Sequence, residues 1–182
     1  MSAIDTLLRK YTELIRLPWA PRAAGPEKVF MLVYPPRDER RLRAKIDEFE
    51  IATKQAGRGW ALVDLTNAFA HWMAEQEYRD NYFEHPEEMS MVLDTFGDHL
   101  EIRVASELDA AGENAVVALM GLGSLFGLYS VSAVLDRVND HVKGRLLAFF
   151  PGVREGNNYR LLDAKDGWSY LAIPIDLTED DT

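Results

Sequence analysis

The segment 121–127 is the part of the sequence whose residue types could bind a phosphate or another anion. It reads Gly-Leu-Gly-Ser-Leu-Phe-Gly, follows an apolar run and precedes a segment with helical periodicity. At a turn from a strand into a helix, free backbone N–H groups and the helix dipole can together hold an anion. Gly121, Gly123 and Ser124 are therefore the candidate anion-binding residues.

Two features of this segment argue against nucleotide hydrolysis. A hydrolysing phosphate loop carries Gly-Lys-Ser/Thr where its helix begins, and no lysine lies between Lys54 and Lys143. The third glycine, Gly127, also comes one residue too late for the dinucleotide-binding fingerprint. A structural turn is the simpler interpretation, and a regulatory domain that binds a nucleotide or an anion is the alternative.

The remaining polar residues do not form a recognisable catalytic set. Asp64 ends an apolar run, as the magnesium-binding acid of a nucleotide hydrolase would, but the lysine that grips phosphate is missing. Ser124 lacks the Gly-x-Ser-x-Gly context of a hydrolase nucleophile. The histidines, at positions 71, 85, 99 and 141, include no pair with the i, i+4 spacing of a helical zinc site. The sequence predicts a protein that is not an enzyme and that uses no metal or cofactor.

Two clusters of large side chains have an ordinary structural interpretation. Arginines between Arg37 and Arg43 alternate with acidic residues, which is typical of a solvated helix face with internal ion pairs. Aromatic residues gather between Trp72 and Phe83. Core packing is the default explanation for them, and a protein interface is the alternative, because aromatic residues are enriched in interface cores.

Composition limits the partners and the compartment. The formal net charge is −10 at pH 7, so the chain repels nucleic-acid phosphates and anionic lipids, and we expect no direct binding to nucleic acid or membrane. The absence of cysteine removes disulfides, thiolate zinc sites and cysteine nucleophiles. The N-terminus lacks the basic and apolar regions of a signal peptide, and we expect a cytoplasmic protein.

Four short, almost wholly apolar runs predict strands that are buried on both faces, as in a parallel sheet. They occupy residues 28–34, 60–65, 115–120 and 145–150. Segments with a helical spacing of apolar residues separate them. The sequence therefore predicts one α/β domain over residues 1–182, with three layers and a mainly parallel central sheet.

Helices are expected before and between these strands. Residues 1–27 are predicted to form an N-terminal helix and a rigid linker. Asp38 and Asn67 are placed to cap two later helices, and Pro86 to begin another. Residues 99–110 fit both an alternating strand and a helix, and the helix is favoured. The last helix is expected over residues 128–142.

The C-terminal part of the sequence predicts a β-hairpin. Its strands are residues 159–162 and 168–175, with the acidic loop 163–167 between them. The acidic tail that follows, residues 177–182, is expected to fray.

The order of four motifs resembles that of the BrxB family, small accessory proteins of bacterial BREX phage-defence systems. The last two motifs are the specific ones, and residues 77–109 carry no likeness. Where the family tends to have proline and arginine after its Gly-Ser-Leu-aromatic motif, this chain has Gly127 and Ser130. The motifs are Val33-Tyr34-Pro35-Pro36, the run 60–65 that ends in Asp64-Leu65, the segment Gly121 to Phe126, and Phe149-Phe150-Pro151-Gly152 with Tyr159-Arg160-Leu161-Leu162.

The resemblance implies a sheet similar in topology to that of P-loop NTPases, without a working Walker A loop. It implies a non-enzymatic scaffolding subunit that joins other BREX proteins, namely the phosphatase-like PglZ protein and the large ATPase. It also implies an interaction surface on the residues that carry the family motifs. These are Tyr34, Pro35, Asp64, Gly123, Ser124, Leu125, Phe126, Pro151, Gly152 and Arg160.

Overall fold

A parallel sheet of five strands runs through the middle of the structure, a computed structural model that describes residues 1–178. The parallel strands lie in the order β2-β3-β4-β1-β7. The four apolar runs form the four longest of them, so the prediction of a mainly parallel α/β sheet is confirmed. The prediction of burial on both faces is wrong for β2, because it lies at the edge of the sheet and only Val63 of this strand is buried. The strands are β1 (Val29–Tyr34), β2 (Gly59–Asp64), β3 (Ala115–Met120), β4 (Arg145–Glu155), β5 (Asn158–Leu161), β6 (Trp168–Ser169) and β7 (Ile173–Ile175).

The helices follow the predicted order, with some differences in type and length. Residues 99–110 belong to one long helix, as favoured, because Leu100, Val104 and Leu108 lie on its buried face. Pro86 begins a 3₁₀ helix, Pro86–Met91, rather than an α-helix. The α-helices are α1 (Ala3–Ile15), α2 (Glu39–Ala44), α3 (Ile46–Gln55), α4 (Ala68–Ala74), α5 (Arg79–Glu84), α6 (Leu93–Ala111) and α7 (Val131–Val138).

Helices cover both faces of the sheet, because successive side chains of a buried strand point to opposite faces. Met31 and Val33 of β1 pack in a core with α4, α6 and α7. Leu32 and Tyr34 pack in a second core with α1, α2 and α3. The result is the expected arrangement of three layers, with one core on each side of the sheet.

The C-terminal strands differ from the predicted hairpin. β4 continues beyond the parallel sheet and pairs antiparallel with β5, and β5 pairs with β6 through two residue pairs. The segment from Ile173 then leaves this ribbon and adds β7 to the parallel sheet beside β1. An edge strand tolerates Pro174, which has no N–H to donate, and lets Ile175 be buried.

Of the predicted acidic tail, residues 179–182 lie outside the described residues. Within residues 1–178, no helix is long and apolar enough to cross a membrane.

Candidate functional site

Most of the residues that carry the resemblance lie at one edge of the parallel sheet, which we call the carboxyl edge, where β1, β2 and β3 end. The register aligns Asp64 with Met120, and Tyr34 with Pro151 of β4. Arg160 lies beyond this edge on β5, opposite Val153, and its guanidinium donates to Glu155. In open α/β sheets this is the edge at which ligands bind.

The first glycine of the motif packs directly on the turn that follows β2. Gly121 has a φ of 81°, in the left-handed region that favours glycine. A Cβ at this position would lie 2.5 Å from the backbone nitrogen of Thr66 and 2.9 Å from Oδ1 of Asp64. The turn after β3 therefore needs glycine here both for its backbone and for its contact with the neighbouring strand.

Gly123, the second glycine of the motif, lets the turn after β3 pack against the neighbouring strand β4. A Cβ at Gly123 would lie 3.3 Å from the ring of Pro151. Gly152 follows, and a Cβ there would overlap the carbonyl oxygen of Arg160, which pairs β5 with β4. These glycines allow the segment 121–126, the bend of β4 and strand β5 to approach each other closely.

Two backbone N–H groups of the glycine segment donate to carbonyl groups of the same segment. The amide of Ser124 donates to the carbonyl of Gly121, at 3.0 Å, and the amide of Phe126 to the carbonyl of Gly123, at 3.2 Å. Residues 122–125 form a 3₁₀ helix, Leu122–Leu125. These two N–H groups are therefore not free to bind an anion, and this geometry gives little support to the alternative of a phosphate site.

The helix after the glycine segment is shorter than predicted. It was expected over residues 128–142, but α7 begins at Val131 and ends at Val138. Ser130 is its N-cap, and the hydroxyl of Ser130 accepts from the amide of Ala133. Gly127, with a φ of 74°, turns the chain before that cap. The glycine segment is consequently separated from the helix N-terminus rather than leading directly into it.

Asp64 is held by neighbouring side chains and by its own turn. Its Oδ1 accepts from the amide of Thr66, at 2.9 Å, and from the hydroxyl of the same residue. Arg43 donates to the Thr66 hydroxyl at 2.7 Å and lies 3.5 Å from Oδ2 of Asp64. Partial burial by itself would raise the pKa of Asp64, but these hydrogen bonds and the charge of Arg43 outweigh it and lower that pKa.

The same network extends to the end of β1. Arg43 Nε donates to Glu39 at 2.7 Å, and the hydroxyl of Tyr34 donates to the other carboxylate oxygen of Glu39. Burial, together with the neighbouring carboxylate, raises the pKa of Tyr34. Glu39 and Arg43 of α2 thus connect Tyr34 with Asp64. The side chains of Tyr34 and Asp64 hold the ends of β1 and β2 in place and are not free to bind another group.

A second acidic turn, which the sequence reasoning missed, repeats this arrangement at the opposite edge strand. Asp176 follows β7, and its Oδ1 accepts from the amide of Thr178 at 3.1 Å and from the hydroxyl of that residue. Arg154 Nε donates to Oδ2 of Asp176 at 2.5 Å. The signal was present as a repeated Asp-Leu-Thr after an apolar run, at residues 64–66 and 176–178.

Only some of the motif residues reach the surface. Tyr34, Leu125 and Pro151 are buried, whereas the side chain of Phe126 is exposed, at 46%. Phe126 borders a pocket of about 380 Å³ with Leu128, Tyr129 and Trp168 among its lining residues. A second hollow, of about 260 Å³, lies beside Pro35, Val153 and Leu177. The carboxyl edge therefore presents apolar side chains around two small concave areas.

The predicted arginine cluster of residues 37–43 and the aromatic cluster of residues 72–83 have different surroundings in the folded chain. Arg43 forms an ion pair with Glu39, as the alternating pattern indicates. Trp72 packs in the core against Phe96, whereas Tyr78 and Phe83 are exposed. Among residues 1–178, no group of three or more His, Asp or Glu side chains is placed to hold a metal ion.

No protein-family model matches this chain, and no curated protein or solved structure matches it either.

Proposed function

We propose that this protein is a non-enzymatic, cytoplasmic interaction subunit of a BREX-type antiphage defence complex. It joins other BREX proteins, the PglZ-like protein and the large ATPase, through its carboxyl edge. The observation that carries this proposal is the meeting of motif residues from four distant parts of the chain, from Tyr34 to Gly152, at that one edge. DNA methylation and phage exclusion then belong to the assembly and not to this chain.

The surface chemistry of the carboxyl edge supports protein binding. Phe126 projects beside a pocket with Tyr129 and Trp168 among its lining residues. Exposed aromatic and aliphatic groups beside a concave area are typical of the centre of a protein interface, where a few anchors supply most of the binding free energy. Phe126 is the residue that a partner would cover.

The buried motif residues support the same proposal, because they hold the anchor in place. Gly121 packs on the turn of Asp64, and Gly123 packs on Pro151. The segment that carries Phe126 is thereby fixed between the neighbouring strands before any partner arrives. A surface that is ordered in advance loses less conformational entropy on binding.

We also propose that the sheet is related to that of P-loop NTPases. Its order, β2-β3-β4-β1-β7, places the first strand inside the sheet and the second at the far edge. Nucleotide-binding sheets with a topological switch point also place their first strand inside the sheet. The turn after β1 begins Tyr34-Pro35-Pro36 and contains neither glycine nor lysine, which supports a role without nucleotide hydrolysis.

The test is co-purification with the co-encoded defence proteins. The tagged chain is co-expressed with the PglZ-like protein and the large ATPase and captured at low salt. We expect at least one of the two to co-purify with the wild-type chain. We expect Phe126→Ser to weaken that association about 30-fold, the effect of removing an interface anchor.

Ile51→Ser is the matched control, because Ile51 is a similarly exposed apolar residue, at 53%, on α3. It should leave the association unchanged. Capture of neither defence protein would overturn the proposed function. Equal binding by both variants and the wild-type chain would show that the carboxyl edge is not the interface.

A further inference from the structure

A cationic pocket lies at the edge of the sheet opposite the carboxyl edge, where the parallel strands begin. We call it the amino-edge pocket, and its volume is about 450 Å³. It is unusual in a chain whose formal net charge is −10, because basic side chains outnumber acidic ones among the residues that line it. The charged lining residues are Lys28, Arg58, Lys143 and Arg145, together with Glu113 and Asp140.

Arg145, the first residue of β4, is the central feature of this pocket. It is only 6% exposed, and its Nη1 donates to the carbonyl of Gly144 at 2.9 Å. Its Nε is buried and has no hydrogen-bond partner among residues 1–178. Burial and the nearby charge of Arg58 lower the pKa of Arg145. A buried guanidinium normally has a carboxylate partner, because an unpaired buried charge is costly.

Of the other three cations of the pocket, Lys143 lies 3.8 Å from a carboxylate oxygen of Asp109, and the other two lack such a partner in the described chain. Within residues 1–178, neither Arg145, Arg58 nor Lys28 forms an ion pair with a carboxylate. Lys28 donates instead to the carbonyl of Val142, at 3.1 Å. Three positive charges of the pocket are therefore without an internal anion.

Two of these cations lie over the ring of Trp19. The guanidinium carbon of Arg58 lies 3.8 Å from the centre of the Trp19 ring, and that of Arg145 lies 4.7 Å from it. Cation–π attraction offsets part of the repulsion between the two arginines. In the described part of the chain, the Nε of Arg58 and the indole nitrogen of Trp19 are also buried without a hydrogen-bond partner. All three unpaired atoms at this pocket are donors, so the group that would satisfy the site is an acceptor with negative charge.

An apolar cavity adjoins the cationic one. Its volume is about 410 Å³, and Arg145 and Trp19 line both cavities. The walls of the apolar cavity include Leu17, Phe30 and Ile173. A molecule larger than an inorganic ion could therefore place a charged group in one cavity and an apolar group in the other, which is the usual composition of a small-molecule site.

We propose that the amino-edge pocket binds a small organic anion, with its phosphate or carboxylate group against Arg145 and Arg58 and its apolar part in the adjoining cavity. This site is separate from the glycine segment and from the carboxyl edge. It does not rest on the proposed function, and the two can fail independently.

The test uses three small aromatic probes on the full chain. Phenyl phosphate and benzoate carry the two candidate anionic groups, and benzyl alcohol is the neutral control of similar size. We expect at least one anion to raise Tm by ~3–6 °C at ten times its Kd. When the two anions are compared at equal concentration, the larger shift identifies the preferred oxyanion. We expect no shift with benzyl alcohol, and an equal shift with it would overturn the assignment of an anion site.

Arg145→Gln removes the buried charge and should abolish the shift. Arg40→Gln removes an exposed arginine elsewhere and should keep it. If Arg145→Gln does not fold, Arg58→Gln provides the same comparison. A shift that survives in the pocket variants would overturn the proposal. The absence of any shift of the wild-type chain at about 10 mM of either anion, which excludes a Kd near or below about 1 mM, would overturn it too.

Nuclear magnetic resonance of the arginine Nε–H groups gives a second readout. Each such group of the wild-type chain has its own signal, and the variants assign those of Arg145 and Arg58. Titration with the preferred anion should move these two signals and leave that of Arg40 in place. Movement of the Arg40 signal alone would contradict the location of the site.

Discussion

Replacing Gly121 by alanine is the sharpest test of the way the glycine segment is positioned. The substitution has two separate costs. Alanine must adopt a φ of 81°, and its Cβ must lie 2.5 Å from the backbone nitrogen of Thr66 and 2.9 Å from Oδ1 of Asp64. Because the nearest atom belongs to the backbone, it cannot move aside as the end of a flexible side chain could.

Gly127 offers a matched control within the same segment. Its φ is 74°, but a Cβ there would meet nothing within 4 Å. Left-handed backbone costs an L-residue about 1–2 kcal/mol, and forcing an atom into a packed site adds about 1–3 kcal/mol. We therefore expect Gly127→Ala to lower the free energy of unfolding by about 1–2 kcal/mol and Gly121→Ala by about 2–5 kcal/mol.

Urea unfolding, followed by tryptophan fluorescence and circular dichroism, measures both values. The chain has four tryptophans, and Trp72 lies in the core that the glycine segment adjoins. Agreement of the two probes checks that unfolding is two-state. Equal destabilisation by the two variants would refute the contact between Gly121 and the turn of Asp64, since only that contact distinguishes them.

Two further stability predictions concern the bend of β4 and the turn after β7. Gly152→Ala should lower the free energy of unfolding by about 1–3 kcal/mol, because the Cβ would overlap the carbonyl of Arg160. Thermal unfolding measures this loss of stability. An unchanged Tm would contradict the pairing of β4 with β5. Asp176→Asn should cost about 2 kcal/mol at pH 7, because it removes the ion pair with Arg154. Burial would raise the pKa of Asp176, but hydrogen bonds from Thr178 and the ion pair with Arg154 lower it. The wild type should therefore lose this stability only as the pH falls below about 4, the ordinary value. The urea midpoints of the wild type and Asp176→Asn, measured between pH 7 and pH 2.5, should therefore differ at pH 7 and converge at the acid end. A difference between the two midpoints that stays constant with pH would contradict the lowered pKa of Asp176.

The elements of this protein were largely predictable, because each depends on a pattern that is local in the chain. The runs that form β1 and β3 are apolar at every position, and all their residues are buried. A strand of this kind must be covered on both faces, which indicates a parallel sheet between helices. The helix is favoured for residues 99–110 because residues 107–114 follow without a strand-like turn. The structure agrees, since the buried positions 100, 104 and 108 recur once per helical turn.

The order of the strands and the composition of the sites depended on tertiary structure. Whether residues 173–175 extend a hairpin or join the sheet is decided by the free edge of β1, which no local pattern reveals. The amides of Ser124 and Phe126 donate to carbonyls within the glycine segment, so Gly-x-Gly spacing alone did not describe the site. Arg145 is polar and would be expected at the surface, yet the sheet and Trp19 enclose it. Hydrophobic periodicity is a property of neighbours along the chain, whereas these contacts join residues that are distant in sequence and meet only when the layers pack.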